Sequence, residues 1–309
     1  LWTTALLSFI IAYFAFFNLE LIQKWNVFFG YQTLFLSLLF LLPDLFLKKD
    51  LAADKEWRWP PRVYGVIFTL YTSLVLIVQN EATHAAICFG VYALFFAAYT
   101  FAQRKVTLGY LPTVYLPLSI IYALNYFNVD AWLPALTALA VLYFIIGVAV
   151  RSKEKWSLVL RNSGLALGTI LSFSALFLLK ESGGWYALVI GLLFMAEMAL
   201  SRDGWFELGA PVLFSIGTFL ILRDLNFERV TYHVLAYGII WILADLLAHL
   251  TFTNPRPLRM VVRVVGGLLA LASYGFLFTE SDAWFAAFGF GSFTLLFLTV
   301  SLLYRQATL

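Results

Sequence analysis

From residue 80 to residue 285 the chain repeats one pattern five times: an acidic or amide-rich tight turn, an apolar run, then a basic or amide-rich break. The turns are Asn80-Glu81-Ala82-Thr83-His84, Asn128-Val129-Asp130-Ala131-Trp132, Glu181-Ser182-Gly183-Gly184-Trp185, Glu228-Arg229-Val230-Thr231-Tyr232-His233 and Glu280-Ser281-Asp282-Ala283-Trp284. They recur at roughly 50-residue intervals, which is twice the length of a bilayer-crossing helix plus its connection. The unit predicted by this spacing is a transmembrane helical hairpin.

Composition points the same way. With 62% hydrophobic and 12% charged residues and a mean hydropathy of +0.89, a soluble globule would lack the polar groups to cover its surface. The single Cys88 lies in an apolar run, which excludes an internal disulfide and any multi-cysteine metal cluster. Leu1 to Phe17 lack the basic start and small-residue cleavage site of a signal peptide. They are expected to form a clipped first helix, with further chain ahead of Leu1.

Apolar runs read with a window near 19 residues fall at 1–17, 28–47, 63–79, 84–102, 108–126, 131–150, 164–180, 184–200, 207–223, 233–250, 260–278 and 284–303. The expectation is an all-α integral membrane protein of about twelve transmembrane helices, arranged as six sequential hairpins in a single polytopic domain over residues 1–309. The longest loop, Lys48 to Arg62, carries Trp57, Trp59 and several cations ahead of Pro60-Pro61, and reads as an interfacial anchor. On the side of the acidic turns lie only Lys24, Lys180, Arg223 and Arg229, while the other sixteen Lys and Arg lie on the opposite side. By the positive-inside rule both ends are then cytoplasmic, in a plasma (inner) membrane whose short loops suit a bacterium or archaeon.

Ionisable residues inside spans cost about 2.5–3.5 kcal/mol each on insertion scales, so those present are candidates for function. The ones to examine, set inward from the span ends, are Glu197, Asp245, His249 and Arg263, with Asp44 at a comparable depth before Lys48. Trp185 to Glu197 and His233 to Asp245 are both twelve steps, so the two carboxylates hold one repeat position. Asp245 and His249, four apart, share a helical face, and Arg263 lies at matching depth on the next, antiparallel span, where an ion pair with Asp245 is easy. The four form either a relay or ligand site for a proton, ion or headgroup, or a set of structural ion pairs near the basic side. Gly164 and Gly168 have the spacing that permits close helix approach, and Pro112 and Pro117 mark the span at 108–126 as the one most open to kinking.

No P-loop, HExxH, GxSxG or Cys-x-x-Cys occurs, which removes the usual signatures of ATP hydrolysis, zinc proteolysis, serine hydrolysis and thiol redox chemistry. Only His249 among the three histidines lies well inside a span, which disfavours bis-histidine haem. His84 and His233, beside Glu81 and Glu228, would make a metal site only if their hairpins touched. No catalytic residue, metal or cofactor is assigned. Three functions remain: a permease or flippase for a lipid-like or amphipathic substrate, a structural subunit of a membrane complex, and a transferase acting on a lipid-linked phosphate, for which Arg256, Arg259, Arg263, Asp245 and His249 are the support. The expected partners are membrane lipids, with other membrane subunits or a second copy as further possibilities, and no nucleic acid.

Overall fold

The computed structural model describes residues 2–18, 28–42, 54–151, 153–201, 206–227, 229–251, 257–280 and 282–304. Among them are twelve α-helices and no strand. They are α1 (Trp2–Phe17), α2 (Phe29–Leu41), α3 (Asp54–Gln79), α4 (Ala82–Gln103), α5 (Tyr110–Tyr126), α6 (Trp132–Ala149), α7 (Glu154–Phe177), α8 (Gly183–Ser201), α9 (Phe206–Asp224), α10 (Val230–Thr251), α11 (Pro257–Phe278) and α12 (Ala283–Tyr304). A 3₁₀ turn, Val106–Gly109, leads into α5. Nine of the described helices are long and apolar enough to cross a bilayer; α1 and α2 contribute shorter apolar segments, and α9 carries Glu207, Arg223 and Asp224 at its ends.

Two helix boundaries differ from those that hydropathy gives. α3 starts at Asp54 and runs through Pro60 and Pro61, so part of the expected interfacial loop is helix; residues 43–53 lie outside the described set. α7 starts at Glu154, ten residues before the apolar run. Charged residues lower a hydropathy average, yet they do not break a helix whose backbone bonds are satisfied internally.

The chain forms two compact units, Leu1–Trp132 with Lys153–Leu160, and Leu133–Ser152 with Arg161–Leu309. In the first, α2 packs broadly on α3 and α4 on α5, whereas α3 and α4, joined by the Asn80 turn, touch little. In the second, α8 packs broadly on α9 and α10 on α11, more than α9 on α10 or α11 on α12. The widest contacts thus join helices across the basic breaks rather than across the acidic turns. Glycines explain much of this. A Cβ on Gly184 would stand 2.5 Å from the Gly217 carbonyl oxygen and 3.0 Å from the Ile221 nitrogen, and one on Gly266 3.3 Å from the Ile242 nitrogen. Backbones this close gain dispersion contacts that bulkier residues would prevent. Gly164 and Gly168 also allow close approach, to different neighbours: Gly164 abuts Ala140 and Phe144 of α6, and Gly168 abuts Ile190 of α8.

α5, α7 and α9 end alike. Asn128 (φ 54°), Leu179 (φ 48°) and Asn226 (φ 59°) are left-handed. The following amides of Val129, Lys180 and Phe227 donate back to the carbonyls of Leu124, Ala175 and Leu222 at 2.9, 3.0 and 2.8 Å. This is the Schellman ending, which asparagine tolerates and leucine does not favour. At the far end of the chain Asp282 caps α12, its Oδ1 accepting from the amides of Trp284 and Phe285.

Candidate functional site

Glu197 sits near the last turn of α8, fully buried, and accepts a hydrogen bond at Oε2 from Nη1 of Arg161 on α7 at 2.8 Å. Arg161 is itself 8% exposed. A buried carboxylate and guanidinium at this distance satisfy one another's charge, whereas either alone would be costly in a medium of low dielectric. Sequence reasoning found Glu197 and missed Arg161. The apolar run begins only at Gly164, so Arg161 reads as a loop cation, although it lies one third of the way along a continuous helix.

Asp245 of α10 meets two arginines of α11. Arg263 Nε donates to Oδ2 at 3.1 Å and Arg259 Nε donates to Oδ1 at 3.2 Å. Arg259 Nη2 also lies 2.6 Å from His249 Nδ1, an arrangement in which the guanidinium donates and the ring nitrogen accepts. The expected pairing of Asp245 with Arg263, with His249 nearby, is therefore present, and Arg259 completes it. The two cations differ: the side chain of Arg259 is 6% exposed and that of Arg263 54%. Both oxygens of Asp245 are engaged, so the cluster ties α10 to α11 at the basic side. The equivalence of Glu197 and Asp245 along the sequence does not extend to their partners, which come from the preceding helix in one case and the following helix in the other.

Between α8, α9 and α10 lies a partly open cavity of about 270 Å³. α8 contributes Met195 and Met198, α9 contributes Glu207, Ala210 and Phe214, and α10 contributes Ile240, Leu243, Ala244 and Leu247. These are the i, i+3, i+4, i+7 spacings of single helix faces. At about 100° per residue, Asp245 and His249 point away from the α10 cavity face and Glu197 points away from the α8 cavity face. The ion pairs flank the cavity walls without opening into it. Its one ionisable lining residue is Glu207, in the first turn of α9 and 3% exposed. Glu207 is the first residue of the apolar run at 207–223; the signal that marks it is its register with Ala210 and Phe214.

The first unit buries polar groups of another kind. Ser37 Oγ and the Tyr92 hydroxyl lie 2.7 Å apart, with Thr69 and Thr72 near the phenol, and Ser73 Oγ is 3.3 Å from the Tyr115 hydroxyl. The serines and threonines also donate within their own helices, Ser37 to Leu34, Thr69 to Gly65, Thr72 to Phe68 and Ser73 to Thr69. Elsewhere in this unit His84 stacks on Phe28 at 4.4 Å between centroids, with Nδ1 2.7 Å from the Tyr31 hydroxyl and Nε2 3.3 Å from Glu81 Oε2. His233, in the second unit, packs beside Phe219 and Tyr237; Glu228 lies outside the described residues. Among the described residues no three His, Cys, Asp or Glu side chains converge. Compared with known protein families, curated proteins and solved structures, the chain matches none.

Proposed function

We propose that this multi-pass membrane protein is a permease or flippase for a lipid-like or amphipathic molecule, which it accommodates in the cavity between α8, α9 and α10. The observation that carries the reading is the cavity itself: eight apolar side chains and the apolar part of Glu207, whose carboxylate oxygens are both buried, line about 270 Å³, a shape and chemistry suited to an alkyl chain and not to a hydrated solute. In this reading the twelve helices are spans in a roughly 50-residue hairpin repeat, and the excess of Lys and Arg sets both ends on the cytoplasmic side of a bacterial or archaeal plasma membrane. Glu197 with Arg161, and Asp245 with Arg259, Arg263 and His249, hold α8 and α10 in place as cavity walls, and the surrounding lipids are the protein's principal partners.

The test is transbilayer movement of a fluorescent single-chain amphipath in proteoliposomes. The wild type accelerates it over protein-free vesicles, and Ala210→Trp, which fills the cavity from a position 4% exposed, removes the acceleration. Wild-type vesicles no faster than empty ones would sink the proposal. A structural subunit is the second reading, favoured by the backbone contact of Gly184 with Gly217 and by charges already paired within the chain. It predicts that Ala210→Trp leaves association with membrane partners intact and that no amphipath moves.

A further inference from the structure

We infer that Arg263, oriented by Asp245 at the basic side of α10 and α11, binds a phosphate group, and that its position favours the phosphodiester head of an anionic membrane lipid. Among the described residues the cluster sets one carboxylate, Asp245, against two guanidiniums, Arg259 and Arg263; Arg256 lies outside them. His249 accepts at Nδ1 from Arg259 and is therefore neutral. The sum is one excess positive charge. The two arginines meet it differently. Arg259 is enclosed between carboxylate and imidazole, whereas more than half of the Arg263 side chain is exposed. The bond from Arg263 Nε to Asp245 Oδ2 fixes the direction of the guanidinium fork.

The surface around that fork is apolar. Met260, Val264, Leu268 and Leu271 are exposed on the same stretch of α11, and a Cβ on Gly267, one turn deeper than Arg263, would meet nothing within 4 Å. In a span such a surface is turned to lipid. An excess of loop cations follows from the positive-inside rule, but Arg263 stands in the second turn of a helix that is apolar beyond it. A charge at that depth is costly unless it reaches the head-group level and finds a counter-ion there. Phosphate is the anion that suits the fork, accepting two parallel charge-assisted hydrogen bonds, and basic sites between helices on this side of a membrane hold anionic head groups by that chemistry. A soluble phosphate offers the same oxygens; the exposed apolar residues beside Arg263 favour a ligand that brings chains with it. None of these residues lines the cavity between α8, α9 and α10, so the site stands or falls independently of the transport reading.

The experiment titrates the purified full chain in detergent with phosphatidylglycerol and with phosphatidylcholine of the same acyl chains, bound lipid being counted by native mass spectrometry. Phosphatidylglycerol binds the wild type roughly tenfold tighter, the scale of one charge-assisted contact. Arg263→Gln brings the ratio near one. Arg263→Lys, which keeps the charge and loses the fork, retains a smaller preference and secures the result should the glutamine variant fail to fold. Repeating the wild-type titration with millimolar inorganic phosphate, against chloride of equal ionic strength, separates the two sources: a lipid site keeps its preference, and a site that soluble phosphate fills loses it. Equal binding of the two lipids by the wild type, or a preference that the folded variants leave unchanged, overturns the inference.

Discussion

The two units solve the same problem with opposite chemistries. The first buries neutral hydroxyls: Ser37, Thr69 and Thr72 gather around Tyr92, with Ser73 beside Tyr115, and each serine and threonine is already bonded to a carbonyl of its own helix. The second buries full charges, Glu197 against Arg161 and Asp245 against Arg259 and Arg263. Removing a hydroxyl leaves partners that are largely satisfied within their helices. Removing one ion of a buried pair leaves the other charge in a low-dielectric interior. The second unit is therefore specified more sharply and is more fragile to single substitutions, and it is also the unit whose helices enclose the cavity.

The sharpest break in this comparison should come from Glu197→Ala. With Arg161 left buried and unpaired, we expect a loss of about 3–5 kcal/mol in a reversible detergent-unfolding titration, while the double variant Arg161→Met/Glu197→Leu recovers most of it. A single variant as stable as the wild type would show that the pair is not buried as described. Next comes a graded pair at Asp245. Arg259→Gln, at the 6% exposed cation, should cost more than Arg263→Gln, whose 54% exposed side chain is screened by its surroundings and contributes about 0–1 kcal/mol. Equal losses would mean that both cations are equally shielded.

In the first unit Tyr92→Phe should cost only about 0.6–1 kcal/mol, the scale of a neutral hydrogen bond between membrane helices; a loss as large as that of Glu197→Ala would erase the distinction between the units. Smallest, and opposite in sign, is Leu179→Asn. Asn128 and Asn226 hold the same left-handed position at the ends of α5 and α9, and Leu179 is exposed, so asparagine relieves local strain without unpacking anything. A gain of up to about 1 kcal/mol is expected in the same titration, and a loss would mean that the leucine side chain makes a contact worth more than the strain.

Helix number and order were legible because each apolar run is long and each turn carries its own punctuation, such as Asn80, Asn128 and Asp282. Asp245 and Arg263 were legible because a charge inside an apolar run stands out and antiparallel depth can be counted. Arg161 was not, because it lies in a helical extension, 154–163, where charge lowers the hydropathy average and disguises helix as loop; Arg259 was legible as a cation grouped with Asp245 and His249 but not as the buried partner of Asp245, since the helical turn at 257–259 reads as loop. The Ser37–Tyr92 network was invisible because serine, threonine and tyrosine are ordinary members of an apolar span, and only three-dimensional register brings four helices' hydroxyls together. The phase of packing was hidden too. Turn motifs advertise which helices are joined, but glycine-to-backbone contacts decide which pack, and these connect helices across the basic breaks.

The measurement that bears most directly on the central claim is the position of a bromine-labelled dodecyl chain in a structure of the full protein determined in lipid. The account predicts bromine signal between Met198, Ala210 and Ala244, lost in Ala210→Trp. Signal confined to the outer lipid annulus, with the space between α8, α9 and α10 empty or closed, would contradict it.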